Sequence, residues 1–174
     1  MVGVILADKY TEKTTEQIIK FYKQNFVNEI IVCKSSQKEE IIENYEDGAL
    51  IYEFKLGKEY SFVKQLSKLE NMISGNEFFV IFGNVISNVN LEELLKFHKS
   101  NSVAVTIGVL KNGNQVKSGG IMIFDTDVFG YIKDDYSDIE EDLLKRIMED
   151  NEVAFYKIDD IGESIYKSNF SIFR

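Results

Sequence analysis

The chain has 174 residues, enough for one domain with a real buried core. Its 29 acidic residues outweigh 20 basic ones, giving a formal charge of −9 and arguing against a protein that coats nucleic acid, which needs clustered Lys and Arg. No apolar run approaches the roughly 18 residues of a spanning helix, the start MVGVILADKY lacks the basic and apolar parts of a signal peptide, and the lone Cys33 excludes an internal disulfide, so a cytoplasmic protein with no membrane segment is expected.

Val2–Leu6 is a continuous apolar run, as a strand buried on both faces requires. Thr14–Phe26 carries Ile18, Ile19, Tyr22 and Phe26 at helical spacing, with Thr14 or Thr15 as cap. Glu29–Cys33 is a second buried strand. Ser36–Tyr45 is expected to be a helix, because Ser36 followed by Glu39 forms a capping box. Ala49–Phe54 is a third strand, and Tyr60–Ile73 a helix with Phe62, Val63, Leu66, Leu69 and Ile73 on one face. Phe78–Phe82 is the fourth strand. Asn90 caps a helix over Leu91–Lys99, whose first turn holds Glu92 and Glu93 where the dipole favours them. Val103–Leu110 and Gly120–Asp125 are strands, with a hairpin-turn signal at Asn112-Gly113 between them. A short helical turn at Asp127–Tyr131, a helix over Ile139–Glu149 capped by Ser137 or Asp138, and a strand at Val153–Lys157 complete the chain. Strand–helix alternation up to residue 100 implies crossover connections, hence a mostly parallel sheet within a three-layer α/β/α sandwich.

Phe78–Lys99 joins a buried strand, Gly83-Asn84 and a helix ending in Phe97-His98-Lys99. This segment resembles the centre of sugar-phosphate nucleotidylyltransferases, whose strand ends in Gly-Asp and whose Asp binds metal. VGVILA at Val2–Ala7 resembles that family's opening strand, and Leu56-Gly57 its Leu-Gly-Thr element. Ser118-Gly119-Gly120-Ile121 resembles the Asn-x-Gly turn before a late strand. Asp138–Met148 followed by Ala154-Phe155-Tyr156 resembles the closing helix and strand, and Asp160-Ile161-Gly162 the closing Asp-Ile-Gly, whose Asp is the second metal ligand. The resemblance covers nearly the whole chain as a single nucleotidyltransferase-like domain. It implies a Rossmann-like, glycosyltransferase-A-type fold, a nucleotide at Leu6, Ala7, Asp8, Gly83 and Asn84, and Mg²⁺ held by Asn84 and Asp160.

The departures concern chemistry. The family follows its first strand with a Gly-rich loop whose amides cradle phosphates, then Pro-Lys. Here Ala7 runs into DKYTEKTTEQ, which has neither Gly nor Pro. The family's sugar-contacting insert is reduced to KNGNQVK after Leu110. Asn84 replaces a carboxylate, and an amide beside Asp160 is a weak Mg²⁺ partner, because this cation needs hard, charged oxygen ligands. Asn84 also reads as a residue that ends a strand or caps a turn.

The remaining candidates read mainly as structure. His98, the only histidine, suits a helix C-terminus. Cys33 fits a core position. Asp134, Asp135, Asp138, Glu140, Glu141 and Asp142 lack calcium-loop spacing and fit a solvated helix start. Three functions follow. One is a shortened nucleotidyltransferase-like protein, catalytically impaired, that binds a nucleotide, a nucleotide sugar or a partner protein in surface-polysaccharide synthesis. Another is an active enzyme whose metal site is rebuilt from Asp160 with Asp125 or Asp8. The third is an interaction domain that assembles as a homo- or hetero-oligomer.

Overall fold

A computed structural model describes residues 1–7, 12–37, 39–57, 60–82, 89–112, 115–133 and 138–158. The chain runs through β1 (Val2–Ala7), α1 (Glu12–Gln24), β2 (Glu29–Ser36), β3 (Glu40–Glu46), β4 (Ala49–Gly57), α2 (Phe62–Ser67), β5 (Glu77–Phe82), α3 (Leu91–Asn101), β6 (Val105–Asn112) and β7 (Gln115–Asp125). A 3₁₀ turn at Thr126–Tyr131, a π-helical turn at Ile139–Leu144, α4 (Lys145–Glu149) and β8 (Val153–Ile158) follow.

All eight of these strands belong to one sheet, in the order β3-β4-β2-β1-β5-β7-β6-β8. The β1–β2, β1–β5, β2–β4 and β6–β8 pairs are parallel; β3–β4, β5–β7 and β6–β7 are antiparallel. The expected mostly parallel, mixed sheet is therefore present, and the four strands read as its centre share it. β5 lies between β1 and β7, and Phe78–Phe82 is buried throughout.

Helices cover both faces. Ile18 and Tyr22 of α1 and Leu91 and Leu94 of α3 pack on one face with Ile5, Ile30 and Phe79. Val63 and Leu66 of α2 and Leu143, Leu144 and Ile147 of the late helical segment pack on the other with Val4, Leu6 and Phe78. Burying each such side chain contributes roughly 1.5–3 kcal/mol, so the central strands need no surface pattern to hold their place. Gly3 is required where α1 crosses β1. A Cβ there would stand 2.7 Å from the Tyr22 ring, whose hydroxyl donates to the Val4 carbonyl at 3.2 Å.

Several expectations need correction. Ser36–Tyr45 is not a helix: Glu40–Glu46 forms β3, antiparallel to β4 out to Glu46↔Ala49. The cause is the turn. Asp47 and Gly48 both take positive φ (49° and 81°), as a two-residue hairpin loop twisted to match its strands demands. That hairpin outweighs the capping box. α1 begins at Glu12, so Thr14 and Thr15 lie inside it rather than capping it. The Tyr60–Ile73 helix shortens to Phe62–Ser67 with Ser61 as cap, and turns carry the chain on to Ile73. There the Ser67 hydroxyl donates to the Lys64 carbonyl at 2.9 Å, competing with the helical ladder.

Ser118-Gly119-Gly120-Ile121 is not a turn before a strand but lies within β7, at a register irregularity opposite Gly108. A Cβ on Gly119 would meet Ile158 Cδ1 at 2.4 Å, so the bare backbone makes room for the last residue of β8. Strands β6 and β7 pair antiparallel out to Asn112↔Gln115, in keeping with the expected hairpin, while Gly113 itself lies outside the described residues.

Candidate functional site

β1 is the pivot of the topology. From it the chain goes to β2 through α1, which packs on one face, and on to the β4 side. It then returns through α2, on the other face, to β5 on the opposite flank of β1. Strand order thus reverses between β1 and β5. In open α/β sheets a ligand crevice forms at such a switch point, outside the carboxyl ends of the strands.

The described rim of that crevice is short. Leu6 is fully buried and packs on the α2 face beside Phe82, its register partner in β5. Ala7 is 7% exposed and closes β1 on the α1 face. Phe82 meets Phe62 edge-on, with ring centres 5.7 Å apart, which fixes the start of α2 against the end of β5. Leu56-Gly57 ends β4 on the same rim, where Gly57 pairs with Ser36. Asp8, Gly83, Asn84 and Asp160 lie outside the described residues, as do Asp134 and Asp135.

The register adds a residue that the sequence reading missed. Lys34 stands beside Ala7 on the neighbouring strand, and its Nζ donates to Glu53 Oε1 at 2.9 Å. The signal was available. Aligning the apolar runs Val2–Leu6 and Glu29–Cys33 places the residue after each run side by side at the sheet's edge. Lys34 thus adds an ammonium at the end of β1 to Lys9 and Lys13 of the segment that follows it in sequence.

The candidate metal ligands Asn84 and Asp160 follow β5 and β8 and lie outside the described residues. β8, which ends two residues before Asp160, lies three strand positions from β5, about 14 Å at the ordinary strand spacing. Asp125 is excluded from a metal site at this rim. It pairs with Glu77 at the opposite edge of the sheet, five residues or roughly 17 Å along β5 from Phe82. Among the described residues no group of three or more His, Cys, Asp or Glu side chains is arranged to hold a metal ion. One carboxylate and one amide are a poor donor set for Mg²⁺.

The other candidates have structural settings. Cys33 is fully buried in β2, and burial pushes its thiol up to about 12, which leaves it unreactive. Asp138 caps the π-helical turn by accepting from the amides of Glu140 and Glu141 at 2.8 and 2.9 Å. His98 is 3% exposed on α3, with Nδ1 2.8 Å from Thr106 Oγ1. Burial lowers its pKa despite the opposing pull of Asp125 and Glu77, so the ring is neutral at pH 7. No described helix is long and apolar enough to cross a membrane.

No family model matches the sequence, and no curated protein matches it. Solved structures do match the fold. A protein assigned as a glucose-1-phosphate thymidylyltransferase from Bacillus anthracis, in complex with sucrose, superposes with a TM-score of 0.70 at 11% identity, over 91% of this chain and 87% of that one. HddC from Yersinia pseudotuberculosis gives 0.66 at 12% identity, over 90% and 89%. A CMP:2-keto-3-deoxy-manno-octonic acid synthetase complexed with CTP gives 0.65 at 12% identity, over 94% and 92%. At such identities the likeness establishes the nucleotidyltransferase-like α/β fold over nearly the full length of each chain.

Proposed function

We propose that this protein binds a nucleotide or nucleotide sugar at the crevice between the carboxyl ends of β1 and β5 and does not transfer the nucleotide. The observation that supports the reading is the reversal of strand order at β1 and β5, with Ala7, Lys34 and Phe82 on the rim. Leu6-Ala7, Asp8 and Gly83-Asn84 are the segments proposed to meet base and ribose, and Lys34 is the cation proposed to face phosphate. The solved CTP complex among the structural neighbours supports a nucleotide in preference to an unrelated ligand.

Impairment is inferred from three separate changes: the loop after Ala7 without glycine, the shortened segment after Leu110, and Asn84 in place of a carboxylate. Transfer requires a divalent ion to neutralise charge on the phosphates, and Asn84 with Asp160 offers half the carboxylate charge. A binding role in surface-polysaccharide synthesis, as a regulatory or scaffold subunit, accords with retention of the fold without the chemistry. Pairing of open sheet edges between copies is the weaker reading. Ile41 and Tyr45 are exposed on β3, but the same edge strand carries Glu40, Glu43 and Glu46, which would repel a second β3.

The test is a thermal-shift screen against CTP, UTP, dTTP and their nucleotide sugars, with pyrophosphate release measured in parallel. A ligand at a hundred times its dissociation constant stabilises the fold by about 2.7 kcal/mol. Stabilisation by one of these ligands, weakened in Lys34→Ala, is expected, with no pyrophosphate formed from any triphosphate and sugar 1-phosphate. Asn84→Asp is expected to gain Mg²⁺ binding by calorimetry. Turnover by the parent protein would overturn the impaired reading. Absence of stabilisation by every nucleotide would overturn the binding one.

A further inference from the structure

A cleft of about 450 Å³ lies on the α2 face of the sheet. Such a volume falls within the roughly 300–1,000 Å³ of small-ligand pockets. Its walls are α2, with the turns on either side of it, and the segment that leaves the 3₁₀ turn. Lys64, Lys68 and Lys133 line it, against one carboxylate from Glu70. None of the rim residues Ala7, Lys34 and Phe82 belongs to it.

The cations set this cleft apart. The chain carries a formal charge of −9, and Lys23, Lys34, Lys55, Lys96 and Lys99 each pair with a carboxylate. Lys64 and Lys68 form no ion pair among the described residues, although Glu70 lines the same cleft. They stand one helical turn apart, at α2 and its C-cap, where like charges destabilise a helix. Lys68 is also oriented. Its Nζ lies 5.6 Å from the centre of the Tyr60 ring, within reach of a cation–π attraction. Tyr60 is in turn tied to α2 by the buried Gln65, whose Nε2 donates to the Tyr60 carbonyl at 3.3 Å.

The other wall is apolar and fixed to the core. Phe129 stacks on the fully buried Phe78 ring, with centres 5.7 Å apart and planes 9° from parallel. Ile132 continues this wall, and its amide donates to the Phe129 carbonyl at 3.3 Å.

The ammoniums of Lys64 and Lys68 together match a dianion, and a phosphate monoester carries about −1.5 to −2 at pH 7. A single carboxylate would leave one ammonium unmatched. Inorganic phosphate would leave Phe129 and Ile132 facing water. We infer that this cleft binds a small phosphate monoester with an apolar or aromatic organic group. The phosphate lies at Lys64 and Lys68, and the organic group lies on Phe129 and Ile132. The site is separate from the β1–β5 crevice and does not rest on the reading of that crevice.

The probe is phenyl phosphate, with benzoate and inorganic phosphate as controls. Each is titrated at neutral pH into ¹⁵N-labelled protein, and affinity is measured by calorimetry. The expected result is a saturable shift of the amides of residues 64–68 and 129–133 with phenyl phosphate, and binding at least about tenfold weaker for either control. Lys64→Gln and Lys68→Gln are exposed changes that leave the fold intact, and each is expected to weaken phenyl phosphate about tenfold. Lys34→Ala, on the rim of the crevice, is expected to leave that affinity unchanged. No saturable shift at these amides would overturn the inference. So would equal binding of benzoate or inorganic phosphate, or unchanged affinity in both lysine variants. Loss of binding in Lys34→Ala would overturn it as well, by moving the phosphate to the crevice.

Discussion

Gly3→Ala tests how α1 is seated on the sheet. The added methyl would lie 2.7 Å from Tyr22 Cε2 and 2.9 Å from both Cδ2 and Cζ, closer than carbon atoms pack. The ring has little freedom to yield. Tyr22 is fully buried, and its hydroxyl donates to Val4 O at 3.2 Å, so swinging aside would strand a buried phenol proton. Overpacking of this kind costs about 1–3 kcal/mol, and a lost buried hydrogen bond adds about 1 kcal/mol if the ring moves. A destabilisation of about 2–3 kcal/mol is expected, or about 5–10 °C in Tm for a chain of this size. Urea unfolding followed by circular dichroism measures it as a lower midpoint with unchanged slope. Tyr22→Leu in the Gly3→Ala background removes the clash, so the double variant should be more stable than the sum of the single changes predicts. A cost for Gly3→Ala below about 0.5 kcal/mol, with strict additivity, would refute the packing of α1 over β1.

The π-helical turn predicts a pH dependence. Glu140 Oε1 is buried without a partner, and burial, with Asp138 and Glu141 nearby, pushes the carboxyl up to about 7. The folded state therefore keeps a proton that the unfolded chain releases near pH 4.5, so this group's contribution to stability falls as pH rises from about 4.5 to 7 and is flat above. Solvent reaches much of the side chain, which limits the effect to roughly 1–2 kcal/mol. Glu140→Gln should flatten that slope and stabilise the protein at pH 8 by this amount in urea titrations; an unchanged slope would count against it. At the β3–β4 turn, Gly48 has φ 81°, and a Cβ there would meet nothing within 4 Å, so Gly48→Ala should cost about 1 kcal/mol from backbone strain alone. The same urea titration measures it, and a neutral Gly48→Ala would mean that the turn relaxes to another conformation.

Legibility in the sequence followed burial. β1, β2 and β5 are apolar runs covered on both faces, and such runs leave few alternatives. The helix over Leu91–Asn101 was legible because Asn90 caps it through side-chain bonds to the amides of Glu92 and Glu93. β3 was not, because EIIENYE is an exposed edge strand whose only strong signal is the turn after it, Asp47-Gly48. The π-helical start of the late helix and the irregularity at Gly119-Gly120 were hidden for a related reason. Both depend on what packs across from them, and the contact between Gly119 and Ile158 spans distant parts of the chain. In the candidate site, Leu6 and Ala7 could be placed from their run, whereas Lys34 required the register between strands.

The same division bears on how fold and chemistry part company. The sheet is specified by side chains such as Val4, Ile31 and Val80, which are fully buried and touch no ligand crevice. The segments proposed to meet the nucleotide begin where the buried runs end, at Ala7 and Phe82. Asn84 and the segment DKYTEKTTEQ therefore stand outside the buried strands that specify the sheet. This accounts for a TM-score of 0.70 at 11% identity. Function in such a fold is set by the rim residues one by one. Lys34 is instructive on this point, because its pairing with Glu53 at 2.9 Å keeps an ammonium at the end of β1 without engaging the core. A cation on that rim suits the anionic ligand proposed for the crevice.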